Sequence, residues 1–182
     1  MRAVATTAVC TSLIAVGSYF SIPIPWSPAP ISLASMFVTL AGLLLGARRG
    51  ACACLLYIGL GALGLPVFAG GTGGIAPLLG PTGGFLLGYP LSAFVAGLIF
   101  DPHRKTVHEG NVPIFPRALL ASIAAALVLY VPGLLWLMTS LGLSFSAAFS
   151  VAAIPFVPGD LLKAVGAAAS ARTLLAAGLM QD

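Results

Sequence analysis

Residues 118–138 read ALLASIAAALVLYVPGLLWLM, without one charged side chain. As a helix this run is ~31 Å long at 1.5 Å per residue. That matches the ~30 Å hydrocarbon core of a bilayer, which ~20 apolar residues cross. It is a continuous run and not an alternating ten-residue segment, so it reads as a membrane helix and not as a barrel strand. The rest of the chain agrees. Of 182 residues, 59% are hydrophobic and only 7% charged, with mean hydropathy +1.09, against about a quarter charged in an average soluble domain. Twelve charges cannot wet an 18.3 kDa globule. A soluble enzyme, a disordered tail and a nucleic-acid binder are all disfavoured. The chain reads as an all-α integral membrane protein in contact with the lipid bilayer, with no nucleic-acid partner.

Working outward, five further apolar runs are readable, and the expected spans are 4–20, 31–45, 50–65, 83–100, 118–138 and 160–179, one transmembrane domain over 1–182. The first run follows Arg2 like a signal peptide, but it continues into SIPIPW (21–26), which is no small-residue cleavage site. The second stops at Arg48-Arg49 and the third at Pro66. A polar connector, 101–117, follows the fourth. Residues 144–154 would make a helix of roughly 16 Å, too short to cross, and are expected to lie at the interface.

The few charges orient this six-helix bundle. With both termini cytoplasmic, the inner segments carry Arg2, Arg48, Arg49, Arg104, Lys105, Arg117 and Arg172, and the outer loops carry no Lys or Arg. The net charge of +4 is thus a topology signal, because the basic residues are scattered. Lys163 fits no inner loop. The outer loops instead hold nine of the fourteen prolines, and eight glycines lie between Gly70 and Gly88. Rigid turns beside permissive glycines suit ordered loops that fold back over the membrane. Irregular backbone at that depth is tolerated only against protein or a cavity, so the outer loops are expected to cover a ligand pocket.

The sharpest chemical signal is PFVPGDLLK (155–163). Proline and glycine precede Asp160, which places it at or near a helix N-cap, and Lys163 lies three residues on along the same face. An ionisable group near mid-bilayer costs on the order of 3 kcal/mol. Either the pair is a cap with a snorkelling lysine or an internal salt bridge, or it is a polar clamp offering an acceptor and a cationic donor to a ligand. Phe68, Phe85 and Tyr89 are candidate pocket walls, and Gly70 and Gly84 candidate sites of close backbone approach to a ligand or a neighbouring helix. The glycine run lacks a GK[ST] ending, so it is no phosphate loop. On the first span, Thr7, Thr11 and Ala15 recur every fourth residue, as do Ala8 and Ser12, and small residues so spaced let helices approach closely. That face serves either internal packing or docking to another membrane subunit. Cys10, Cys52 and Cys54 have no zinc or CxxC spacing and are expected to be buried thiols. His103 and His108 lack further ligands at useful spacing, so no metal, no cofactor and no catalytic set is expected, and the protein is not read as an enzyme.

At these residues the chain resembles the BioY family, the substrate-binding S components of energy-coupling factor (ECF) transporters for biotin. The matching segments are SIPIP (21–25), PAPI (28–31), LLLG (43–46), GLPVFAG (64–70), GPTGG (80–84) and PFVPGDLLK (155–163), in order along nearly the whole chain. The resemblance implies a multi-pass protein of the inner (plasma) membrane that captures biotin from outside. The loops joining spans one–two and three–four would cover the ligand. It further implies a membrane coupling T component and two cytoplasmic ATPases as partners, toppling of the S component in the bilayer, and a coupling face on the first helix, here Ala8, Thr11, Ser12 and Ala15. Biotin suits the pocket read from the residues, with ureido N–H donors, an apolar ring and chain, and a carboxylate. Asp160 is then expected to accept from the ureido group and Lys163 to pair with an anionic or carbonyl oxygen. Two other readings stay open: an S component for another small vitamin, and a stand-alone membrane enzyme or structural subunit.

Overall fold

The computed structural model describes residues 2–101 and 113–177. The elements in order are α1 (Arg2–Tyr19), β1 (Ser21–Ile22), β2 (Ile31–Ser32), α2 (Ala34–Ala62), a 3-10 turn (Ala69–Gly71), α3 (Ala76–Leu79), α4 (Gly83–Phe100), α5 (Ile114–Leu141), α6 (Phe145–Ala152) and α7 (Val157–Ala176). The expected connector residues 102–112, with His103, Arg104, Lys105, His108 and Glu109, and the chain end beyond 177 lie outside the described residues.

Helix α2 covers what the sequence divides into spans two and three. It is interrupted at Gly46, whose φ of 78° and ψ of 175° are not helical. A Cβ built on Gly50 would lie 2.8 Å from the Cα of Gly42. In a straight helix residues eight apart are separated by ~12 Å. The chain therefore folds back at Gly46, and the limbs 34–45 and 47–62 lie side by side. The break falls two residues before Arg48-Arg49. Glycine is needed there because a side chain resists φ near +78°.

By length and apolar content, Gly83–Phe100 and Ile114–Leu141 each suffice to cross a membrane, whereas Ala34–Ala62 has that length and apolar content only in total, being folded back at Gly46. Phe145–Ala152 and Val157–Ala176, bent by 55°, would together make another. Helix α5 starts earlier and ends later than the expected 118–138. The short helix expected near 144–154 is α6, capped by Ser144, whose hydroxyl accepts from the Ala147 amide at 3.4 Å.

On α5 and α7 the packing is mostly small inside and large outside, with Leu134 and Leu137 the large buried exceptions. On α5, Ala118, Ala121, Ser122, Ala125 and Gly133 face the interior, while Leu120, Leu127, Val131 and Leu135 are exposed. On α7, Ala164, Ala167, Ala168 and Ala171 are buried and Leu161, Leu162 and Val165 are not. A water-facing surface this apolar would be an interaction surface, and in a bilayer it is the lipid face. With no hydrophobic gain from burying large side chains away from lipid, helices associate through small residues that permit close approach. Gly97 is one such contact: an added Cβ would fall on the backbone of Gly46 and Ala47.

The two ends of the bundle differ. Thr11 donates to the Ala53 carbonyl at 3.1 Å, Ser18 shares a 2.6 Å hydrogen bond with Tyr57, and Arg117 donates to the Ile99 carbonyl at 3.1 and 3.2 Å. With Ala171 packed in the same cluster as Phe100 and Ala118, these contacts gather Arg2, Arg48, Arg49, Arg117 and Arg172 toward one end. The segments 20–33 and 63–82 close the other. Cys10 and Cys54 are buried as expected. Cys52 is exposed, because two residues along a helix it must face away from Cys54.

Candidate functional site

At the end opposite the arginines lies a cavity of about 230 Å³. Its roof is built by two irregular segments. Strands β1 and β2 pair antiparallel, Ser21 with Ser32 and Ile22 with Ile31. This pairing closes the proline-rich loop between them and lays Pro28, Ala29 and Pro30 over the opening. The Ser32 hydroxyl donates to the Gly17 carbonyl at 3.2 Å and accepts from the Ala34 amide at 3.1 Å, so it ties the loop both to α1 and to the start of α2. The second segment, 63–82, is fastened to the first. The Tyr19 phenol donates to the Pro66 carbonyl, and the Gly70 amide donates to the Ser21 hydroxyl at 3.2 Å. Trp136 of α5 donates to the Gly80 carbonyl at 2.9 Å and anchors its far end.

The walls are aromatic. Phe68 is fully buried beneath the roof, its ring over Gly61, where an added Cβ would strike it. It meets Tyr57 edge-on at 5.5 Å. Tyr89 lies 6.2 Å from Tyr57 in turn. Phe85 occupies the space left by the missing side chain of Gly133 and meets Tyr130 edge-on at 6.4 Å.

Into this apolar chamber the sequence delivers four polar groups from three helices. Lys163 Nζ lies 3.1 Å from Asp160 Oδ1 and 3.2 Å from the Ser35 hydroxyl of α2. The Tyr130 phenol of α5 donates to Asp160 Oδ2. Lys163 is only 11% exposed and Asp160 21%, and both line the cavity. Water is largely withdrawn from them, so the pair is tied by geometry and hydrogen bonds and not by surface attraction. A lysine ammonium has three donors and a carboxylate about four acceptor sites. Two donors and two sites are used internally, which leaves one donor and the remaining acceptor capacity for a ligand.

Asp160 lies in the first turn of α7, near the N-cap as the sequence suggests, while the cap position itself is Phe156. The helix opens at Val157 with Pro158 in its first turn, and the Asp160 amide already donates to the Phe156 carbonyl at 2.8 Å. Proline lacks the amide a helix interior needs but is tolerated in the first turn. The helix therefore starts before PGD and not after it. Of the expected site residues, Asp160, Lys163, Phe68, Phe85 and Tyr89 all line the cavity. Gly70 and Gly84 are not in its wall. Gly70 is a turn residue with φ of 71°, and Gly84 is pressed against Trp136 and Pro132 of α5, with no room for a side chain. On α1, Ala8 and Ser12 are exposed, whereas Thr11 is buried against α2 and Ala15 is partly buried against the core. The four small residues thus divide between two faces. Sequence reading missed Ser35 and Tyr130. A phenol in the middle of an uncharged apolar run is itself a signal, since a hydroxyl withdrawn from water needs a partner. Among the described residues no cluster of metal-ligating side chains occurs.

The comparisons with known proteins agree with this architecture. The BioY family model matches residues 1–179. A relative from Rhizobium etli named "Biotin transporter BioY" is 41% identical over 163 residues, covering 90% of this chain and 87% of the relative. A "Probable biotin transporter BioY" from Pyrococcus horikoshii is 39% identical over 173 residues, 95% of this chain and 96% of that one. A crystal structure described as the S-component for biotin from an ECF-type ABC transporter superposes with a TM-score of 0.84 at 28% identity. The match covers 95% of this chain and 90% of the other. On sequence and on fold together, the chain belongs to the BioY family.

Proposed function

We propose that this protein is the biotin-binding S component of an ECF-type vitamin uptake transporter. The observation that carries the reading is the Asp160–Lys163 pair, held with Tyr130 and Ser35 inside an aromatic cavity, in a chain of this family. Biotin presents two ureido N–H donors, a carbonyl, an apolar bicycle and chain, and a carboxylate. Asp160 accepts from the ureido N–H, Lys163 pairs with a carbonyl or carboxylate oxygen, and Phe68, Phe85 and Tyr89 enclose the apolar part. Gly70 and Gly84 contribute indirectly, the first by shaping the roof and the second by bringing α4 against α5.

In this reading the chain is a single transmembrane domain of six spans: α1, the two limbs of α2, α4, α5 and α7. The limbs 34–45 and 47–62 are short for a ~30 Å core, a mismatch that local thinning of the bilayer absorbs. The arginine-bearing end faces the cytoplasm, both termini with it, and the roofed cavity opens to the outside of the plasma membrane. Energy comes from a membrane T component and two cytoplasmic ATPases, with α1 as the coupling surface. Ala8 and Ser12 are its outward members, and Thr11 and Ala15 hold the helix to the bundle.

The test is equilibrium binding of biotin to the purified chain in detergent without ATP, against a panel of other vitamins. Saturable binding of biotin in preference to the panel is expected. Binding of a different vitamin, or of none, overturns the assignment.

A further inference from the structure

The two charged residues of the site sit three apart on one helix and would pair with each other whatever surrounded them. A pair free to close upon itself, with both carboxylate oxygens turned to the ammonium, would present little to a ligand. In the structure it is held open. One carboxylate oxygen takes Lys163 and the other takes the phenol of Tyr130, from a different helix. On its far side Lys163 is drawn toward α2 by Ser35. The phenol is itself fixed in place: its ring stands edge-on to Phe85, at 86°, and Phe85 is seated over Gly133. Tyr130 lies within an apolar helix, and its chain neighbours 126–134 carry no other polar side chain. We propose that Tyr130 is a positioning residue of the ligand site, whose phenol fixes the Asp160 carboxylate in the orientation that keeps the Asp160–Lys163 pair open to the cavity.

The proposal rests on the biotin reading above and goes beyond it, because it assigns to Tyr130 a role exerted through Asp160. A residue that acts only through another has no effect once that other is gone. The experiment is a cycle of four proteins, wild type, Tyr130→Phe, Asp160→Ala and the double variant, each assayed for equilibrium biotin affinity and for melting without ligand. Phenylalanine keeps the ring and its contact with Phe85 and removes only the hydroxyl. Tyr130→Phe is expected to weaken binding by about tenfold, the lower end of what one hydrogen bond to a charged group contributes. Its melting midpoint should stay within a few degrees of wild type. The double variant should bind no more than about twofold more weakly than Asp160→Ala alone, since coupled groups are not additive. Wild-type affinity in Tyr130→Phe, or losses that multiply in the double variant, would overturn the positioning role. So would loss of the fold in Tyr130→Phe, which would make the phenol structural. Failure of the wild type to bind biotin would overturn the functional reading as well, whereas normal wild-type binding with an unaffected Tyr130→Phe overturns this inference alone.

Discussion

The two ends of the bundle both carry charge and use it in opposite ways. At the arginine end, Arg48 and Arg49 are exposed, and Arg117 spends its guanidinium on the Ile99 carbonyl, one of the last of α4. Charges there stay within reach of water or phosphate, and each can change partner at little cost. At the cavity end, Lys163 is the only basic residue among those described, and it is enclosed with Asp160, Tyr130 and Ser35. In the proposed reading, position, and not the number of charges, separates an orienting role from a recognising one. A cation at the rim sets which way the protein sits in the membrane, while a cation that has lost its water must find specific partners and can select a ligand among them.

The strongest way to break this contrast is at the cavity end. Lys163→Ala removes the one cationic donor and leaves Asp160 with the phenol alone. A hydrogen bond to a charged group contributes ~1.5–3 kcal/mol, and every ~1.4 kcal/mol is tenfold in affinity. Biotin affinity is expected to fall by tenfold or more, with Asp160→Asn close behind. Calorimetric titration of purified variants checks both, and wild-type affinity in both would leave the enclosed pair without a recognising role.

Between the two ends lies the packing that holds them apart. Gly97 lets α4 touch the Gly46 turn, so Gly97→Val must push α4 outward. Overpacking of this kind costs about 1–3 kcal/mol. A lower melting midpoint without ligand is expected, and biotin affinity should change far less than in Lys163→Ala because the cavity is on the other side. An affinity loss equal to that of Lys163→Ala would mean that the two ends are not separable.

What could be read from the sequence divides along the same line. The apolar helices, the irregular proline- and glycine-rich segments and the Asp160–Lys163 pair were legible because each leaves a local mark: a run without charge, a cluster of turn formers, two ionisable groups one helical turn apart. The start of α7 was misplaced by three residues because Pro158 breaks a helix interior and yet fits a first turn, a distinction fixed only by where the amide of Asp160 finds its acceptor. Ser35 and Tyr130 lie 128 and 30 residues from the charged partners they meet, and nothing in the local pattern of either says which helix it will face. The small residues of α1 were legible as a periodic stripe, but a stripe does not tell inside from outside. The hydrogen bond from Thr11 to Ala53 decides that for Thr11.

The smallest effect is expected at the rim. The last carbonyls of a helix have no partner within it, and Arg117 satisfies that of Ile99 with two N–H groups at 3.2 and 3.1 Å. Arg117→Met keeps much of the stem and removes both donors. Arg117 is only partly buried, so water can take the place of the guanidinium, and the net loss should stay near the ~0.5–1.5 kcal/mol of an ordinary hydrogen bond. A melting midpoint lowered by a few degrees is expected, together with biotin affinity within twofold of wild type. The two measurements bear on different parts of the contrast: the first asks whether Arg117 is worth more than a cap, the second whether charge at this end reaches the ligand. If Arg117→Met weakened binding tenfold, the arginine end would take part in recognition, and the division of labour between the ends would have to be abandoned.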